Sequence, residues 1–211
     1  MVAAHSIIGI IFSSCYENDI MSTIDESTRV SKVPPAPNFG EGPENSMLKN
    51  FFIGELKDIY WAEQQLIETL PKMAVAATSA ALKALFTKHL AETQQHVVRL
   101  EKAFNLLGIP AEGVKCEAMA GITEEGDSIV ADTMPGTATR DVGLVLAAQK
   151  AEHYEIATYG ALTQIAHMLG LLEIAGLLDA TLDEEKGADK LLSLAASSGI
   201  NRSATVESPA L

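Results

Sequence analysis

Four stretches of this chain carry apolar residues at alternating steps of three and four, and acids interrupt each stripe near its middle. The first reads Phe52, Leu56, Ile59, Glu63, Leu66, Leu70, Met73, and the second Leu82, Leu85, His89, Glu92, His96, Ala103, Leu107. The third is Val145, Ala148, Glu152, Glu155, Tyr159, Leu162, Ala166, Leu169. The fourth is Leu171, Ala175, Leu178, Leu182, Glu185, Asp189, Leu192, Ala196. This spacing puts each stripe on one face of a helix and predicts four helices around a common core. A carboxylate in such a stripe loses its hydration, at a cost of roughly several kcal/mol unless it is protonated, paired or bound to metal. Four helices interrupted in the same way point to metal.

The length of 211 residues suits one domain with tails. Abundant aliphatic residues and alanine with few aromatics fit a helical bundle better than a β-sandwich. The net charge of −13 argues against nucleic acid and anionic membrane surfaces as partners, and fits a soluble protein that attracts cations. Cys15 and Cys116 are too few for a disulfide framework and match no zinc spacing. Both are expected to be unpaired thiols in a reducing compartment, which implies a cytoplasmic protein. The apolar run Ser6 to Phe12 lacks a basic flank and is too short to span a bilayer; Met21 opens a more ordinary polar leader.

Residues 1–46 read as a disordered leader, 47–198 as the bundle and 199–211 as a polar tail. Helices are expected at about Ser46–Ala77, Ala80–Leu107, Thr139–Met168 and Leu171–Ser197, with a short extra helix at Glu117–Asp132. Pro71 should kink or split the first, Gly108 and Gly170 end the second and third, and Gly199 closes the last. Two short-linked hairpins joined by a long crossover define an all-α, ferritin-like four-helix bundle. The halves also repeat weakly. A shift of 93 residues carries Leu85 onto Leu178, Glu92 onto Glu185 and His96 onto Asp189, and a shift of 92 carries Glu63 onto Glu155. The acids should therefore meet at one height in the bundle.

The expected ligands are Glu63 with Glu92 and His96 from the first hairpin, and Glu152, Glu155, Glu185 and Asp189 from the second. Positions i and i+4, or i and i+3, share a helix face and can chelate. Two divalent ions offset most of the charge of six carboxylates, and an oxygen-rich set with an imidazole suits iron or manganese. Glu92 and Glu185 are the expected bridges, with Glu63 and Glu155 as terminal ligands. Tyr159 could hydrogen-bond a ligand, relay an electron or simply pack in the core. His89 could ligate or, as the preferred reading, stand behind the ligands; His153 does the same or faces a neighbour, and His167 is structural. Each motif has a plainer reading when taken singly: Glu92 and His96 as an i, i+4 ion pair, Asp183 to Lys186 as a solvated charge run.

Several strings resemble the YciF/YciE-type ferritin-like family: Glu55 to Leu66, His89-Leu-Ala-Glu92-Thr, Lys115 to Met119, Glu152 to Gly160, and Leu182 to Lys186 followed by Ala188-Asp189. The resemblance covers about residues 47–198. It implies a rubrerythrin-like bundle, usually a homodimer, in bacterial proteins linked to stress. Its acidic positions fall on Glu63, Glu92, Glu152, Glu155, Glu185 and Asp189, with His96 as the imidazole. The chain departs from the Glu-x-x-His pattern of better-known ferritin-like proteins, with spacing one residue longer and Asp189 where a histidine would stand. The function expected first is a di-iron or di-manganese protein reacting with peroxide or oxygen. Metal sequestration without turnover, or a stress-associated interaction module, are the alternatives.

Overall fold

The computed structural model describes residues 46–208; the expected leader, with Cys15, lies outside the described residues. The described residues form five long helices: α1 (Met47–Ala76), α2 (Ala80–Leu106), α3 (Glu117–Asp132), α4 (Ala138–Met168) and α5 (Leu172–Ala195). A π-helical turn (Ala196–Ile200) and α6 (Asn201–Ala204) follow. The described residues contain no strand.

The helix starts follow from side chains that accept the orphan backbone donors of a first turn. Ser46, Ser79 and Thr137 accept from Lys49, Leu82 and Arg140. α2 and α4 end alike. Gly108 and Gly170 take positive φ (69° and 74°), letting Ile109 and Leu171 donate back to the Phe104 and Ala166 carbonyls.

α1 pairs with α2, and α4 with α5, as antiparallel hairpins. The crossover returns the chain so that the start of α4 lies beside the end of α1, where the Thr78 and Ser79 amides donate to Asp141. On the other side α5 runs antiparallel to α2, with Arg99 reaching Thr181 and Glu184. This is the ferritin-like arrangement, with α3 laid along the crossover against α4 and α1.

Differences from the sequence reading lie in register and at helix ends. α1 runs unbroken through Pro71, because that ring is exposed while Leu70 and Met73 stay buried on the opposite face. The buried stripe of α2 is Leu82, Phe86, His89, Thr93, His96, Leu100, Ala103. Phe86 and Thr93 replace Leu85 and Glu92, one residue around the helix. Gly199 does not close the last helix. It sits in the π turn, which rotates Ile200 into the core, and the chain stays helical to Ala204.

Candidate metal centre

Each of the four bundle helices brings a titratable side chain to the same depth. α1 contributes Glu63; α2 His89 and His96; α4 Glu152 and Glu155; α5 Glu185. All six are buried, and Glu63, His96, Glu155 and Glu185 have no exposed surface. Candidate ligand atoms of His89, Glu152, Glu155 and Glu185 lie within 4.8 Å of one another, and so do those of Glu63, His96 and Glu185. Glu185 belongs to both sets. Metal–oxygen and metal–nitrogen bonds of about 2.0–2.2 Å put opposite ligands about 4 Å apart, so either set could close on a cation with small movements.

Glu185 Oε1 lies 2.9 Å from His96 Nδ1, and Glu63 Oε1 lies 3.3 Å from the same nitrogen. His89 Nε2 lies 3.2 Å from Glu152 and 3.6 Å from Glu185. The Tyr159 hydroxyl, wholly buried, donates to Glu63 Oε1. These contacts leave most of the polar atoms without an aligned hydrogen bond. The unpartnered buried atoms are Glu63 Oε2, His89 Nδ1, His96 Nδ1, Glu152 Oε2, both oxygens of Glu155 and both of Glu185, with the Thr163 hydroxyl as the only further one among the described residues.

Burial and mutual repulsion shift the ionisations accordingly. Loss of hydration raises Glu152 and Glu155 well above the ordinary carboxylate value, and the Glu185 charge adds to both. Glu63 is raised by burial, against the lowering influence of His96. Burial opposes the charged form of His96, but the Glu185 and Glu63 carboxylates outweigh it and push its pKa up to about 10.

Glu92 and Asp189 stand at the rim, their side chains 23% and 24% exposed. Glu92 pairs with Lys88, and His89 Nδ1 lies 3.6 Å from it. The His89 ring and the Lys88 ammonium hold its pKa at about 2. Asp189 accepts from Gln149 at 3.1 Å and lies 3.2 Å from the exposed His153. His167 is exposed near the end of α4. Of the seven expected ligands, five converge and two flank them, while His89, expected behind the ligands, stands among them. The signal for His89 was its place in the α2 stripe, seven residues, or two turns, before His96.

A cavity of about 20 Å³ reaches Glu152, Glu155 and His89 between α1, α3 and α4. Its walls include Leu66, Leu70, Met73, Ala148 and Ala151. The hydroxyls of Thr69 and Thr123 on this wall donate to carbonyls of their own helices. A small, mostly apolar cavity thus borders the acids.

The family model described as a domain of unknown function, DUF892, matches residues 47–205. The chain belongs to the DUF892 family. The chain is 38% identical over 158 residues to the protein YciF of Escherichia coli, covering 74% of this chain and 95% of YciF. The crystal structure of the E. coli stress protein YciF superposes with a TM-score of 0.70 at 36% identity, covering 75% of this chain and 99% of that one. YcfI from Rhodopseudomonas palustris gives a TM-score of 0.68 at 38% identity, covering 70% and 94%. Both structures match this chain through most of their own length. No helix among the described residues is long and apolar enough to cross a membrane.

Proposed function

We propose that this DUF892 protein is a di-metal carboxylate protein that holds iron or manganese in its core and reacts with peroxide or dioxygen. The observation that carries the reading is the concentration of unpartnered buried polar atoms. Eight of the nine belong to Glu63, His89, His96, Glu152, Glu155 and Glu185. Leaving one such group unpaired costs about 1–3 kcal/mol, more if charged, so eight together make little sense as structural residues. The donor chemistry fits cations. Four carboxylates and two neutral imidazoles match the charge of two divalent ions, and an oxygen-rich set with two imidazoles suits iron or manganese.

Glu63, His96 and Glu185 would hold one ion, His89, Glu152 and Glu155 the other, with Glu185 shared. Glu92 and Asp189 at the rim would meet an incoming cation rather than keep it. When bound, such a pair of metals supplies Lewis acidity and one-electron redox capacity. The chain's own residues do the rest. Tyr159 orients Glu63, the six ligands keep the cations apart from bulk water, and the cavity sets what can approach. Its volume of about 20 Å³ admits a molecule the size of one or two waters and turns away organic substrates. Stress protection is consistent with the description of YciF as a stress protein. The family resemblance supports a homodimer, and sedimentation would separate that from the large cage a mineral store needs.

The test is elemental analysis of protein purified from its own host, followed by peroxide and oxygen consumption by the loaded protein with a reductant. About two irons or manganeses per chain are expected. Glu185→Ala should lose both and Glu92→Ala should keep most. A protein that binds neither metal ends the reading, and a loaded protein that consumes neither oxidant leaves only sequestration.

A further inference from the structure

Each buried imidazole of the centre has a second nitrogen facing outward, and the two differ in what meets it. His96 turns Nδ1 toward Glu63 and Glu185, while its Nε2 lies 2.9 Å from Glu184 Oε2. Glu184 is not an interior acid. Its side chain is 32% exposed, and Arg99 grips it with two parallel hydrogen bonds, Nη1 to Oε2 and Nη2 to Oε1, both 2.7 Å. Arg99 is anchored in turn by a 3.2 Å bond to Thr181. An Arg–carboxylate fork fixes the plane as well as the position of the acid. At His89 the outward Nδ1 has no hydrogen bond, and Glu92 stands 3.6 Å off.

An imidazole ligates only through a nitrogen without a proton, so the partner of the other nitrogen decides whether the ring is ready. A carboxylate can only accept, and one at Nε2 keeps the proton there, so the proton that leaves when a cation binds is the one on Nδ1, between Glu63 and Glu185. Neighbouring residues of α5 thus serve opposite ends of one ring, Glu185 inside and Glu184 outside. Arg99, three residues after His96 on α2, holds the outer one in place.

We propose that Glu184, clamped by Arg99, is a positioning residue that holds His96 in its Nε2–H form and so sets the cation affinity of the half-site built from Glu63, His96 and Glu185. This rests on the metal-centre reading above. The unclamped His89 supplies an internal comparison, since Glu92 has no equivalent hold on it.

The test titrates Zn(II), a diamagnetic probe, into the metal-free full chain as wild type, Glu184→Ala, Glu184→Gln and Glu92→Ala. Calorimetry follows binding, and long-range ¹⁵N–¹H correlation on the Zn(II)-loaded chain reads which histidine nitrogen keeps its proton. Glu184→Ala is expected to weaken one ion by about 10- to 100-fold and to scramble the His96 tautomer. Glu184→Gln, whose amide oxygen still accepts from Nε2–H, should recover most of the affinity, and Glu92→Ala should change it by only a few-fold. Should Glu184→Ala not fold, Arg99→Met, which frees the carboxylate without removing it, is expected to lose affinity several-fold. Wild-type affinity and an unchanged His96 tautomer in folded Glu184→Ala, or in Arg99→Met where it stands in, overturn the positioning role alone. A wild-type chain that takes up no metal overturns the metal centre and this role with it.

Discussion

At Glu155 both carboxylate oxygens are buried without a donor, and burial, then the Glu185 charge, raises its pKa well above the ordinary value. A residue kept for stability would not sit this way. Replacing it with methionine, close in shape and apolar, should raise the stability of the metal-free protein by about 1–3 kcal/mol while abolishing metal uptake at its half-site. Denaturant unfolding of both proteins with chelator present checks the first half, and a destabilised Glu155→Met would mean that Glu155 is structural. Glu92, expected in the buried stripe, stands at the rim because α2 packs in a different register. Glu92 and Thr93 differ by about 100° around α2. A stripe read through Leu85 reaches Glu92, whereas one read through Phe86 reaches Thr93, which is fully buried. Both registers share His89 and His96, and the buried one runs through Phe86.

Helices were legible because their stripes, caps and stop glycines agree, and α1 to α4 begin and end within a residue or two of the sequence reading. The tail was not legible, because what organises it is tertiary. Glu207 accepts from the Ala138 and Thr139 amides and the Thr139 hydroxyl, capping α4 from far along the chain. Asp141 does the same for α2 with the Thr78 and Ser79 amides at 2.6 and 2.7 Å, itself only 2% exposed. Arg140 donates to the Val130 and Thr133 carbonyls at the end of α3. The other end of the crossover is fastened where the Tyr154 hydroxyl donates to Asp58 at 2.6 Å and accepts from the buried, free thiol of Cys116. Losing Asp141 would leave two backbone donors unmet at the start of α2. Asp141→Ala should therefore cost about 2–3 kcal/mol, or roughly 5–10 °C in melting temperature, with metal stoichiometry unchanged. A thermal scan with paired metal analysis measures both, and an unshifted melting temperature would show that the cap carries no stability.

Across the whole molecule, the cost of the centre falls on the protein without its metal, and it depends on pH. Glu63, Glu152 and Glu155 have folded pKa values above the ordinary 4.5, so in the metal-free fold they keep protons that the unfolded chain has already released. Stability from these groups is intact below about pH 4.5 and falls as pH rises toward their folded values. His96 acts in the same direction. Its pKa of about 10 stands above the ordinary 6.5, so its contribution is whole below about pH 6.5 and is lost as pH climbs through 10. Glu92 and Glu184, held low, act only in acid, where their contribution disappears as pH falls below about 4.5. Metal-free protein should thus melt at steadily lower temperature from about pH 5 to pH 9. Protein loaded with Mn(II) should resist that decline, because cations replace the retained protons and bind more tightly as the ligands deprotonate. Calorimetry with and without chelator across that range measures the widening gap. The net charge of −13 also favours expansion through self-repulsion. Metal-free Glu155→Met separates the two effects, since it leaves the surface charge in place, removes one buried acid and should flatten the slope. A slope equal to that of wild type would assign the pH dependence to the surface instead of the core.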